Sequence, residues 1–136
     1  MSYALSGPLQ RAIFAVLSED GALAALVGDA IFDAAPAGDV PPLYVRLGEE
    51  DVADASDGSG GGAFHRIGIT IVSNAPGYAK AKDVAGAISD VLHDAELVLS
   101  RGRLISLRFE RASAKFISAA QVRQIDMRFR ARVQDG

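Results

Sequence analysis

The chain has 136 residues, 49% apolar and 23% charged, with a formal charge of −3, which suits one globular domain with a single core. It has no cysteine, which excludes disulfides, thiolate metal sites and cysteine nucleophiles. The opening MSYALSGPLQ lacks the basic-then-apolar order of a secretory signal, and no apolar run approaches the ~20 residues of a membrane helix, so a soluble protein made in a cytoplasm is expected.

Leu9, Ile13, Val16 and Leu17 share one helical face, with Ser6 or Gly7 as a cap and Pro8 in the first turn, where its missing N–H costs nothing. That helix should end near Ser18–Gly21. Ala22 to Val27 reads as a further helical turn or two, stopped by Gly28. Ile31-Phe32 can begin a short strand; Pro36, Gly38, Pro41 and Pro42 then interrupt regular structure. Leu43, Val45 and Leu47 alternate with Tyr44 and Arg46 as a strand.

Residues 49–62, EEDVADASDGSGGG, have almost no apolar area to bury and predict a mobile acidic, glycine-rich loop between two strands. Ile67, Ile69 and Ile71 then alternate with Arg66, Gly68 and Thr70, a strand buried on one face. Asn74, Pro76 and Gly77 form a turn. From Tyr78 to about His93, Val84, Ile88, Val91 and Leu92 make one helical stripe. Ile105, Leu107 and Phe109 alternate with Ser106, Arg108 and Glu110. Finally Ile125, Met127, Phe129, Ala131 and Val133 alternate with Gln124, Asp126, Arg128, Arg130, Arg132 and Gln134. The order predicts one α+β domain over residues 1–136: a mostly antiparallel or mixed β-sheet, two main α-helices packed on one face, and the arginines on the other.

Charge is sorted along the chain. Residues 1–100 carry five basic and fourteen acidic side chains; residues 101–136 carry nine basic and three acidic. The two segments therefore have net charges of −9 and +6, which suits head-to-tail attraction between copies or contact with an anionic partner.

No constellation points to catalysis, and no cofactor is implied. His65 and His93 have no serine or carboxylate in a recognisable relation to them, so both read as structural or solvated. The glycines from Gly58 to Gly62 precede a strand, with carboxylates before them and no lysine after, unlike a phosphate cradle. Glu49, Glu50, Asp51, Asp54 and Asp57 lack calcium-loop spacing. They read as a solvated acidic loop, or as a loop that docks on a basic partner.

Arg108, Arg128, Arg130 and Arg132 stand out. Alternate strand positions project their guanidinium groups from one face, about 6.5–7 Å apart along a strand. The plain reading is a solvated sheet face. Like charges so close repel unless neutralised, and arginine forks suit carboxylates or phosphates. A subunit interface is expected here, with a neighbouring copy supplying the carboxylates. The alternative is a nucleic-acid-binding module, for which the arginines lack interspersed stacking aromatics.

The segments, in this order, resemble the tail terminator (tail completion) proteins of long-tailed phages and phage-like gene transfer agents. The likeness spans nearly the whole chain. It rests on the opening helix, Leu23, Leu26, Val27, Gly28, Ile31, Phe32, Pro36 and Pro42-Leu43-Tyr44-Val45. It continues through the acidic glycine-rich insertion, His65-Arg66-Ile67-Gly68-Ile69-Thr70-Ile71, the helix Ala79 to Leu92, and Met127-Arg128-Phe129-Arg130-Ala131-Arg132. The resemblance implies a structural virion protein without enzymatic activity. It would form a ring, usually of six subunits, on the head-proximal end of the tail tube. Its partners would be the major tail tube protein and the head-completion (stopper) protein, with DNA passing through the lumen without specific binding and no membrane. Another head–tail neck protein, an adaptor or stopper, is the alternative within the same particle.

Overall fold

The computed structural model describes residues 3–34, 36, 38–55 and 61–135. A single 3-10 turn, Tyr3–Leu5, leads into helix α1, Ser6–Glu19. Leu9, Ile13 and Leu17 recur every four residues and are buried. The helix begins without a side-chain cap. Ser6 lies inside it, and its hydroxyl donates instead to the carboxylate of Glu50 at 2.5 Å. Asp20 ends α1 and caps α2, Gly21–Val27, by accepting from the Leu23 amide at 2.9 Å. Gly28, at φ 61°, stops α2 in a backbone conformation that glycine tolerates best. Helix α3 spans Ala79–Leu92 and buries Ala81, Val84, Ile88 and Leu92.

Five strands form one sheet in the order β1-β2-β3-β5-β4. They are β1, Ile31–Phe32; β2, Leu43–Asp54; β3, Gly61–Ser73; β4, Arg103–Ile117; and β5, Val122–Asp135. The short β1 runs parallel to β2, and every other pairing is antiparallel. All three helices pack on one face, with α3 against β3, β5 and β4 and with α1 and α2 toward β1 and β2. The core lies between, where Ile67, Ile69 and Ile71 of β3 meet Ile125, Met127, Phe129, Ala131 and Val133 of β5. This is the expected α+β architecture, with α2 as a short third helix.

The loop expected over residues 49–62 is not a loop through most of its length. Strand β2 continues to Asp54, and β3 begins at Gly61; Asp57 lies outside the described residues. A β-bulge interrupts β2 at Gly48, which has φ 130° and is skipped in the register between Leu47 and Glu49. The bulge turns the strand over. Glu49 and Asp51 come to the open face, whereas Glu50 and Val52 turn to the helix side. The pairing with β3, which buries its own helix face, holds this polar segment in strand form.

β4 also departs from simple alternation. Register shifts after Leu104 and after Phe109 leave Ile105 45% exposed while Leu107 is fully buried. His65 lies on the helix side of β3 with no exposure, and His93 ends α3, its Nδ1 accepting the Phe109 amide at 3.0 Å.

Candidate functional site

The open face of the sheet, opposite the helices, carries the chain's chemistry in rows that cross the strands. One row runs Asp51, Arg66, Arg130, Arg108 from β2 to β4. The next runs Glu49, Gly68, Arg128, Arg111. On the other side of the first lie Ala53, Phe64, Arg132 and Ser106. The structure thus brings Arg108, Arg128, Arg130 and Arg132 together, as strand periodicity requires, and adds Arg66 and Arg111. It also puts Glu49 and Asp51 on this same face, at the β2 edge, while β4 carries the basic edge.

Several charges are already paired. Arg66 Nε donates to Glu110 Oε1 at 3.3 Å, Arg108 meets Asp94 at 3.4 Å, and Lys115 Nζ meets Asp126 Oδ2 at 3.0 Å. Partial burial pushes the Asp126 carboxyl up, but hydrogen bonds from Lys115, Gln124 and Thr70 outweigh it and hold the group below its ordinary value. Among the described residues no carboxylate stands within ion-pair distance of Arg111, Arg128, Arg130 or Arg132. Arg130 instead lies over the Phe64 ring, 3.8 Å from its centre, with Arg132 at 5.3 Å. An aromatic therefore does stand among the arginines, contrary to the sequence expectation. It comes from the neighbouring strand, and its signal was its parity: Phe64 shares the open face with Arg66.

Gly68 has no side chain, and a dip of about 270 Å³ opens there between Glu49 and the pair Arg111 and Arg128. Two further arginines are occupied elsewhere. Arg101 pairs with Asp135 at 2.8 Å, and Arg123 sits on the helix side between Tyr78 and Phe116 and donates to the Ala75 carbonyl at 3.0 Å.

The acidic residues do not gather into a cation site, and among the described residues no group of three or more His, Asp or Glu could hold a metal. Glu50 is turned away from the others. It accepts from the Tyr3 and Ser6 hydroxyls, and its Oε2 lies 3.5 Å from Nδ1 of buried His65. Among the described residues no helix is long and apolar enough to cross a membrane.

Comparison with known proteins agrees with this architecture. A solved chain from "Virion of native gene transfer agent (GTA) particle" superimposes with a TM-score of 0.92 at 53% identity, covering 98% of this chain and 99% of that one. No curated protein matches. The family model described as "Tail completion protein gp17" matches residues 11–134, so the chain belongs to the tail completion protein family.

Proposed function

We propose that this protein is a structural component of a phage-like tail that closes into a ring of six copies. The ring caps the head-proximal end of the tail tube, ends tube polymerisation and offers the joining surface for the head-completion protein. DNA passes through its lumen without being read, and the protein performs no catalysis. The membership in the tail completion family and the likeness to a virion chain support the structural role.

One observation supports the ring: Arg128, Arg130 and Arg132 project from one sheet face with no carboxylate partner among the described residues, while Glu49 and Asp51 stand exposed at its far edge. Unneutralised arginines this close gain most from carboxylates that another copy brings. Attraction between different patches is heterologous, and a heterologous contact makes a ring when its rotation closes. The same charges would give the neck partners an oriented surface.

Replacing Arg128 and Arg130 by glutamate, as R128E/R130E, should abolish ring formation and leave a folded monomer. Light scattering and electron microscopy read the assembly, and circular dichroism reads the fold. A double variant that assembles like the parent would overturn the role of this face.

A further inference from the structure

We propose that adjacent copies join by strand addition, with the outer edge of β4 from Glu110 to Ile117 in one copy pairing with the outer edge of β2 from Glu49 to Ala53 in the next. This rests on the ring reading and names its contact. Both edges have backbone to offer. On the β2 side, β1 pairs only with Val45 and Arg46, and no described strand covers β2 beyond them. On the β4 side, the Asp94 amide donates to the Leu107 carbonyl at 2.7 Å and the Phe109 amide donates to His93. Those two contacts show which β4 residues point away from β5. Carried past the bulge at Glu110, the alternation turns the backbone groups of Ala112, Ala114 and Phe116 outward. Among the described residues nothing outside β5 is hydrogen-bonded to them.

Charge selects the partner. The β4 edge carries Arg111, which has no carboxylate within ion-pair distance among the described residues, and Lys115, which shares its charge with Asp126 at 3.0 Å, and the β2 edge carries Glu49 and Asp51. Basic residues on an edge strand ordinarily prevent pairing with other chains. Here they repel a second β4 yet match the acids of β2, so only the head-to-tail arrangement escapes like-charge cost. Direction fits as well. β3 is antiparallel to both β2 and β5, and β5 is antiparallel to β4, so β2 runs opposite to β4. A second copy in the same orientation therefore continues the antiparallel sheet. On the helix side, Ala112, Ala114 and Phe116 are exposed, the phenylalanine to 46%, which leaves apolar surface for the incoming copy to cover.

Introduced thiols test the pairing, because the chain has no cysteine of its own. Val52 and Ala114 both lie on the helix side, at opposite edges of four strands; Val52 is in line with Ala131 and Ala114 with Ile125, so they are about 14 Å apart across the strands and about 20 Å apart along them, roughly 24 Å in all within one copy. With a bismaleimide shorter than that, the Val52→Cys/Ala114→Cys double variant should give a ladder of covalent oligomers up to ring size. Either single variant should give none. Rings that form normally and yield no ladder overturn the proposal. A second variant, Ala114→Pro, removes an outward N–H and no β4–β5 hydrogen bond, so the monomer should fold while self-association falls by about tenfold or more. If Ala114→Pro assembles normally while R128E/R130E does not, strand addition fails and the ring reading stands. If the parent chain never assembles, both fail.

Discussion

Glu50 illustrates how one residue changes meaning between sequence and fold. Its composition alone makes it one of five loop carboxylates, but the bulge at Gly48 turns it toward the 3-10 turn and the start of α1, where Tyr3 and Ser6 donate to it beside His65. Burial pushes its pKa up, yet the hydrogen bonds from Ser6 and Tyr3, with His65 close by, win and hold it below the ordinary value. A carboxyl depressed in the folded state contributes stability above its unfolded pKa, and that contribution disappears as the pH drops through the folded value. The loss therefore falls below about pH 4.3, the ordinary glutamate value. Glu50→Gln should cost about 1 kcal/mol near pH 7, discounted for partial exposure, and the gap to the parent should close in acid. Urea midpoints at a series of pH values measure this; an equal gap at pH 3 and pH 7 would show that the charge does not matter.

At the scale of elements, legibility followed burial. Helix α3 and strand β5 each present one face to a full core, so their apolar stripes at periods near 3.6 and 2 are intact in the sequence and were readable without tertiary information. The far half of β2 was not. It is an edge segment with Glu49 and Asp51 facing solvent, and only the long-range pairing with β3 fixes it, so its composition matches that of a loop. The arginine face was legible along β5 because alternation alone sets it. The cross-strand rows, Phe64 beneath Arg130, and the placement of acids and arginines on one face needed the register, which two bulges in β4 and one in β2 conceal. Gly48 is the pivot of that concealment. An added Cβ there would lie 3.1 Å from the Asp33 carbonyl oxygen at a φ of 130°, which side chains rarely adopt. Gly48→Ala should cost about 1–2 kcal/mol and speed amide exchange from Glu49 to Ala53 more than in β3 or β5. Thermal unfolding with hydrogen exchange reads both, and an unchanged midpoint would mean that the bulge relaxes freely.

For the whole molecule, the charge sorting along the chain becomes an asymmetry across the sheet. The negative first hundred residues contribute Glu49 and Asp51 at one edge of the open face, and the positive remainder contributes Arg111, Lys115 and Arg108 at the other, so the dipole lies in the sheet plane and across the strands. Its direction favours addition side by side over stacking face to face. The two energies that matter then respond differently to salt. The fold rests on a core of buried aliphatic and aromatic side chains, which screening leaves alone. Association through exposed charges is screened, because the Debye length shrinks from about 10 Å at 0.1 M to about 3 Å at 1 M. Self-association measured by sedimentation should therefore weaken about ten- to a hundredfold over that range, while the urea midpoint of the monomer barely moves. The loss should stay partial, because backbone pairing and the apolar surface around Phe116 are not charged. Association that holds or tightens in salt would assign the contact to an apolar surface instead, and the charge sorting would then belong to the neck partners rather than to the ring.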